Sequence, residues 1–85
     1  MKDQTLYRIP LKRGEEVHIR RREYKDKQYI DLRLFFTPKD SDQLVPTKKG
    51  LTLDLGLIEE LRRGITTSEK RLRMLDSENE ETSET

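Results

Sequence analysis

The 85-residue sequence contains no cysteine, which removes disulfide frameworks, thiolate nucleophiles and cysteine zinc sites together. It has a single histidine, His18, with no second histidine or cysteine beside which it could bind a metal or activate a nucleophile. On the polar side of a strand, it reads as an ordinary surface residue. The four glycines, Gly14, Gly50, Gly56 and Gly64, form no phosphate-cradling cluster. Asp40-Ser41-Asp42 lacks the glycine and the terminal glutamate of a calcium loop and reads as a polar turn. No apolar run approaches the length that spans a bilayer, and Met-Lys-Asp-Gln-Thr at the start lacks the apolar core of a signal peptide. A soluble, intracellular protein without a membrane partner is expected. No catalytic constellation survives this inventory, so the sequence points away from an enzyme and calls for no cofactor or metal.

Apolar residues are also scarce, at 31% against 41% charged. A chain of this length is one domain, and a monomer so small leaves much of its surface exposed even when folded. Burial against a partner is therefore expected. The net charge of +1 hides an asymmetry, because Asp76 to Thr85 carry five acids and no base, leaving residues 1–75 at +6. Residues 1–53 hold thirteen Lys or Arg against eight Asp or Glu. That surplus alone describes a solvated charged surface as well as a binding one.

The order of the residues is more informative than their composition. Tyr7, Ile9 and Leu11 alternate within residues 5–12, a strand whose Pro10 belongs on a free edge or a bulge. A second strand spans 16–24, with Val17 and Ile19 on one side and His18, Arg20, Arg22 and Tyr24 on the other. The third, 28–37, alternates Ile30, Leu32, Leu34 and Phe36 with Tyr29, Asp31, Arg33 and Phe35. A turn at Lys25-Asp26-Lys27-Gln28 joins these two as a hairpin expected to pair Tyr24 with Tyr29, Arg22 with Asp31 and Arg20 with Arg33. That register segregates an apolar face from a basic and aromatic one, whereas an odd loop mixes them, so the apolar pattern argues for this pairing. A fourth strand, 44–53, is entered through Val45-Pro46 and interrupted by Thr47-Lys48-Lys49-Gly50.

Beyond Asp54 the period changes from two to 3.6, with Leu57, Ile58, Leu61 and Ile65 at helical spacing, so a helix starts at about residue 55. Gly64 either breaks it or leaves one kinked helix reaching Leu72 and Leu75. Residues 1–75 form the expected domain, and residues 76–85, which have no apolar side chain, the expected disordered acidic tail.

Bases and aromatics interleaved along a sheet are the ingredients of single-strand recognition. Arg20, Arg22, Lys25, Lys27, Arg33, Lys48 and Lys49 can contact phosphates, while Tyr24, Tyr29, Phe35 and Phe36 offer flat faces to unstacked bases. Each stacked base adds about 1 to 3 kcal/mol that a duplex does not readily supply. Strict alternation equally places Phe36 in the core with Ile30, Leu32 and Leu34.

Over roughly residues 5–65 the sequence resembles the positive-cofactor-four family of single-stranded-DNA-binding transcriptional coactivators, in its short prokaryotic and phage form. The resemblance rests on Ile30-Asp31-Leu32-Arg33 followed by Phe35 and Phe36, on Val45-Pro46-Thr47-Lys48-Lys49-Gly50, and on Leu51-Thr52-Leu53 leading into the helix. It implies an α+β fold, a curved four-stranded antiparallel sheet followed by one helix, dimerising through that helix at Leu57, Ile58, Leu61 and Ile65. It further implies Tyr24 as the stacking aromatic of the hairpin turn with Lys25 and Lys27 beside it. Arg22, Arg33, Lys48 and Lys49 match the family's basic residues, and Phe36 its second stacking aromatic. Asp26 and Thr47 stand where glycine is common. The family's long Ser-rich segment is missing, which points to a prokaryotic or phage source and a cytoplasmic, nucleoid-associated location.

The expectation is a homodimer that binds single-stranded DNA or RNA with little sequence preference, in transcription regulation, replication or repair, with the transcription machinery as a further partner. The alternative is a protein-interaction module that uses the apolar helix and has no physiological nucleic-acid ligand. An acidic tail folded onto the basic sheet would make the binder autoinhibited.

Overall fold

The computed structural model describes the backbone of residues 2–82 and the side chains of residues 3–76. Four strands, β1 (Lys2–Pro10), β2 (Glu16–Tyr24), β3 (Lys27–Phe36) and β4 (Val45–Asp54), pair antiparallel in chain order as one sheet. A 3-10 turn at Leu55–Leu57 leads into one helix, α1 (Ile58–Thr82). The chain divides into a sheet unit ending at Leu55 and a helical unit beginning at Gly56. No helix among the described residues is long and apolar enough to cross a membrane.

Both prolines inside strands, Pro10 and Pro46, sit on the edge strands β1 and β4, where a missing N–H breaks no ladder. A bulge between Thr5 and Tyr7 reverses the alternation of β1. Thr5 then pairs with Arg20 and Tyr7 with Ile19, so Thr5 joins the polar face and Tyr7 the apolar one.

The β2–β3 register differs from the expected one by two residues. Lys25 and Asp26 alone form the turn, both at positive φ (52° and 66°), and Tyr24 pairs with Lys27, Arg22 with Tyr29 and Arg20 with Asp31. Positive φ at both central positions is the type I′ geometry, whose twist matches that of a hairpin. Because strand side chains alternate with period two, a two-residue shift leaves every side chain on its expected face. Val17, Ile19, Ile30, Leu32 and Leu34 share the apolar face with Leu51 and Leu53, with Arg21 and Glu23 continuing that side toward the hairpin turn, while Arg20, Arg22, Asp31 and Arg33 share the other.

α1 is continuous through Gly64 and does not stop before Asp76. The expected disordered tail is helical as far as Thr82, consistent with the favourable helix propensity of the glutamates in that stretch and with the absence of Gly or Pro. Ser83 to Thr85 lie outside the described residues. Burial is sparse and inverted: among the described residues the one buried apolar side chain is Phe35, 8% exposed, and it lies on the polar face. The apolar face is only half-covered.

Candidate nucleic-acid interface

At the centre of the polar face Asp31 is fully buried, its cross-strand partners being Arg20 on β2 and Thr52 on β4. Arg20 donates from Nε (3.0 Å) and Nη2 (2.9 Å) to Oδ2 of Asp31. Arg33, two residues along the same strand, donates from Nη2 to Oδ1 (2.6 Å) and from Nε to Oδ2 (3.2 Å). The Thr52 hydroxyl donates to Oδ1 at 2.6 Å. Burial pushes the Asp31 carboxyl up, but hydrogen bonds from Arg33, Thr52 and Arg20, with the Arg33 charge, outweigh it and hold the group at about 2. One carboxylate thus fixes two guanidiniums and leaves one net positive charge.

Arg33 also donates from Nη1 to the Thr47 carbonyl at 3.4 Å and lies across Gly50. Gly50 has φ +156°, and a Cβ there would collide with the Leu32 carbonyl oxygen and stand 3.0 Å from Arg33 Cζ. Only glycine lets β4 pass this close to β3 beneath a guanidinium. Beside it the β3–β4 register shifts between Arg33 and Phe35. Thr47 closes that irregularity, its hydroxyl donating to the Leu34 carbonyl (2.8 Å) and accepting from the Lys49 N–H (3.1 Å).

At one end of the face His18 stacks on Phe35, with ring centroids 3.8 Å apart and 14° between planes, and the Arg20 guanidinium lies 5.3 Å from the Phe35 centroid. The two imidazole nitrogens face Glu16 Oε1 (2.8 Å) and Thr5 Oγ1 (3.2 Å). Arg8 Nε also donates to Glu16 Oε1 at 2.9 Å, and His18 first, then Arg8, lowers the Glu16 carboxyl below its ordinary value. His18 is therefore buried, not the surface residue expected, because Phe35 and its two hydrogen-bonding neighbours enclose it. The same packing occupies Phe35, which is no open stacking surface. An open cleft of about 600 Å³ adjoins this cluster, walled by Arg8, Gln43 and Leu44.

At the opposite end Arg22, Tyr24, Tyr29 and Thr52 line a second cleft of about 330 Å³. Tyr24 is 51% exposed, and the Lys25 ammonium lies 5.3 Å from its ring centroid. Arg22 donates from Nε to Asp3 Oδ1 at 3.2 Å, and Arg20 lies 3.8 Å from the same carboxylate.

The structure thus brings Arg20 and Arg33 together on Asp31, and Arg22, Tyr24 and Lys25 together at the cleft. Lys27 stands apart, 3.7 Å from Asp54. Lys48 and Lys49 are exposed on β4. Phe36, 38% exposed, follows the alternation of Ile30, Leu32 and Leu34 and belongs to the face opposite Tyr24. Tyr29, expected to offer a flat face to a base, is brought into the cleft by the register that pairs it with Arg22, and Thr52, which carried no such expectation, lines the cleft with it. Asp31 was passed over too, and its signal was an acid alternating with Arg33 in a basic strand. Of the helical residues, Ile58 and Leu61 are half-buried while Leu57 and Ile65 are exposed. Among the described residues no group of three or more acids or histidines is placed to hold a metal ion.

A four-stranded antiparallel sheet followed by a single helix is the architecture of PC4-like proteins. A PC4 homologue from Burkholderia pseudomallei, in its tetragonal crystal form, matches with a TM-score of 0.74 at 20% identity, over 80% of this chain and 98% of its own. A bacteriophage T5 homologue of the eukaryotic transcription coactivator PC4, implicated in recombination-dependent DNA replication, matches with a TM-score of 0.58 at 20% identity over the whole of both chains. No match is found among curated protein sequences. The family model Transcriptional Coactivator p15 (PC4) matches residues 11–72, most of the chain. The protein belongs to the PC4 family, a family of single-stranded-DNA-binding transcription coactivators.

Proposed function

We propose that the polar face binds single-stranded DNA, with RNA as a competing ligand, in a non-enzymatic homodimer with little sequence preference. The observation that carries this reading is the Tyr24 cleft. On a face whose central arginines are occupied by Asp31, Tyr24 keeps half its surface open, beside Tyr29, Arg22 and the Lys25 ammonium. An aromatic platform with cations at its rim takes an unstacked base and its phosphate, which a duplex presents only after melting. Arg22, Arg33, Lys48 and Lys49 supply phosphate contacts along the face, and the cleft beside His18 and Phe35 prolongs it. Lys27 adds charge near the turn. Phe36 serves a second base on this reading only where the strand bends around the end of β3.

The dimer is proposed because the chain alone conceals so little. With Phe35 the one buried apolar side chain among the described residues, and Leu51, Leu57 and Ile65 exposed, a second copy provides the missing burial. In a prokaryotic or phage setting the protein would act in the cytoplasm, at the nucleoid, on DNA opened by transcription, replication or repair. The transcription machinery is the natural protein partner.

The test is a competition titration of oligo-dT, single-stranded RNA and duplex at two salt concentrations. The reading requires salt-sensitive binding of oligo-dT in preference to duplex, and no binding to oligo-dT would refute it. Sedimentation of the pure protein as a monomer at micromolar concentration would refute the dimer.

A further inference from the structure

The two clefts of the polar face differ in what they can hold. At the Tyr24 cleft an exposed ring offers its face, and stacking on a ring is indifferent to which base is stacked. Beside His18 and Phe35 the two rings are stacked on each other and only 5% and 8% exposed, so neither has a face left for a base. That cleft, of about 600 Å³, is lined instead by polar side chains: Arg8 from β1, and Asp42 and Gln43 from the segment between β3 and β4, with Leu44 as an apolar side.

These groups are held in place. The His18 ring is fixed between Thr5 and Glu16, and Glu16 also accepts from Arg8 Nε, which leaves the terminal Nη groups of Arg8 for another acceptor. The Ser41 N–H donates to the Pro38 carbonyl at 3.1 Å and the Gln43 N–H to Ser41 Oγ at 3.0 Å, a folded loop that carries Asp42 and Gln43 to the cleft. Among the described residues neither of those two side chains has a hydrogen-bond or ion-pair partner.

Charge decides which part of a nucleotide enters. Arg8 is already paired with Glu16, so Asp42 leaves this end of the face without surplus positive charge, and a phosphate is poorly held there. A neutral base carries no such penalty.

Resting on the single-strand binding proposed above, we infer that this cleft reads one base of the bound strand by its edge and prefers guanine. Guanine alone among the bases offers two neighbouring acceptors, O6 and N7, to a guanidinium and two neighbouring donors, N1–H and the 2-amino group, to a carboxylate. Arg8 and Asp42 supply those two partners from different elements. Cytosine and adenine give a carboxylate one amino group, and thymine gives it one N–H between two carbonyls that repel it. Edge contacts carry base identity, whereas stacking and phosphate contacts carry little, so a chain with little sequence preference elsewhere keeps one selective position.

The test is a fluorescence titration of oligo-dT with one substitution near its middle. One dG should make wild type bind roughly five- to tenfold more tightly than it binds all-dT, the low end of what a bidentate base contact gives, because the cleft is open to water. One dA stacks as dG does but lacks its donor pair, and should gain little. Deoxyinosine in place of dG removes only the 2-amino group and should forfeit most of the gain, an outcome that needs no variant protein. Asp42→Asn, on an exposed loop, should abolish the gain from dG while leaving affinity for all-dT unchanged or slightly raised, which also shows that the variant is folded.

Equal gains from dA and dG would mean that a purine stacks at Tyr24, and would overturn the proposal. A dG gain that survives deoxyinosine replacement or Asp42→Asn overturns it too, because guanine is then read elsewhere. Binding of oligo-dT with no response to dG overturns the guanine cleft and spares single-strand binding. Absence of binding to every one of these strands overturns single-strand binding itself, and this inference with it.

Discussion

Replacing Asp31 by Asn tests the centre of the polar face without changing its volume. The substitution removes the charge that holds Arg20 and Arg33, whose side chains are only 10% and 14% exposed, and turns one acceptor oxygen into a donor facing a guanidinium. Two nearly buried cations would then share one neutral acceptor, and breaking such a pair from one side costs about 3 to 5 kcal/mol. The proton linkage gives a separate figure. Moving the carboxyl from its ordinary 3.8 to about 2 corresponds to about 2.5 kcal/mol, at about 1.4 kcal/mol for each tenfold change in proton affinity.

The sign of that contribution follows from the direction of the displacement. A carboxyl depressed in the folded state stabilises it fully above the unfolded value, and the contribution is lost as pH falls through the window from about 4 to 2. Urea unfolding at fixed protein concentration should therefore show Asp31→Asn destabilised by about 3 kcal/mol at pH 7. Between pH 4 and pH 2 wild type should lose stability more steeply than the variant. A loss below 1 kcal/mol at pH 7, or parallel pH profiles, would refute the reasoning, because it would mean that the guanidiniums find water as good a partner as Asp31.

Tyr24→Ala should weaken oligo-dT binding by about 1 to 3 kcal/mol with little change in its salt dependence, whereas Lys48→Ala with Lys49→Ala should reduce the salt slope by about one to two, both read by fluorescence titration. Gly50→Ala should cost about 2 kcal/mol or more in urea unfolding, because its Cβ meets the Leu32 carbonyl at a positive φ; an unchanged midpoint would argue against the close β3–β4 crossing. Asp26→Gly should raise stability by about 0.5 to 1 kcal/mol, since glycine takes the φ of +66° without steric cost; destabilisation would argue against the two-residue turn.

Alternation along β2 and β3 was legible because it is a local property: Val17 and Ile19, with Ile30, Leu32 and Leu34, declare one face whatever the loop. The pairing itself was not. A type I′ turn usually announces itself with Asn-Gly or Asp-Gly, and Lys25-Asp26 carries no such signal, so a longer loop looked adequate. The two-residue error spared the faces but hid the chemistry, because Arg20 opposite Asp31 makes a buried network and Arg20 opposite Arg33 does not. His18 and Phe35 were misread for a related reason: a polar face was assumed to be a wet one. The continuation of α1 to Thr82 was not legible, because an acidic stretch without apolar side chains shows no face to bury, yet its glutamates extend a helix already nucleated by the residues before them.

On the proposed single-strand reading, the buried network lets a face rich in arginine discriminate between strands. If Arg20, Arg22 and Arg33 all presented bare charge, duplex and single strand would be attracted alike. Asp31 and Asp3 remove much of that field while fixing the guanidiniums in place, so less affinity is left to charge and more to what the Tyr24 cleft can stack. On this argument Asp31→Asn, in protein that remains folded, should bind duplex and single strand more tightly but distinguish them less well. A larger preference for single strands in the variant would show that Asp31 does not restrain the face in this way.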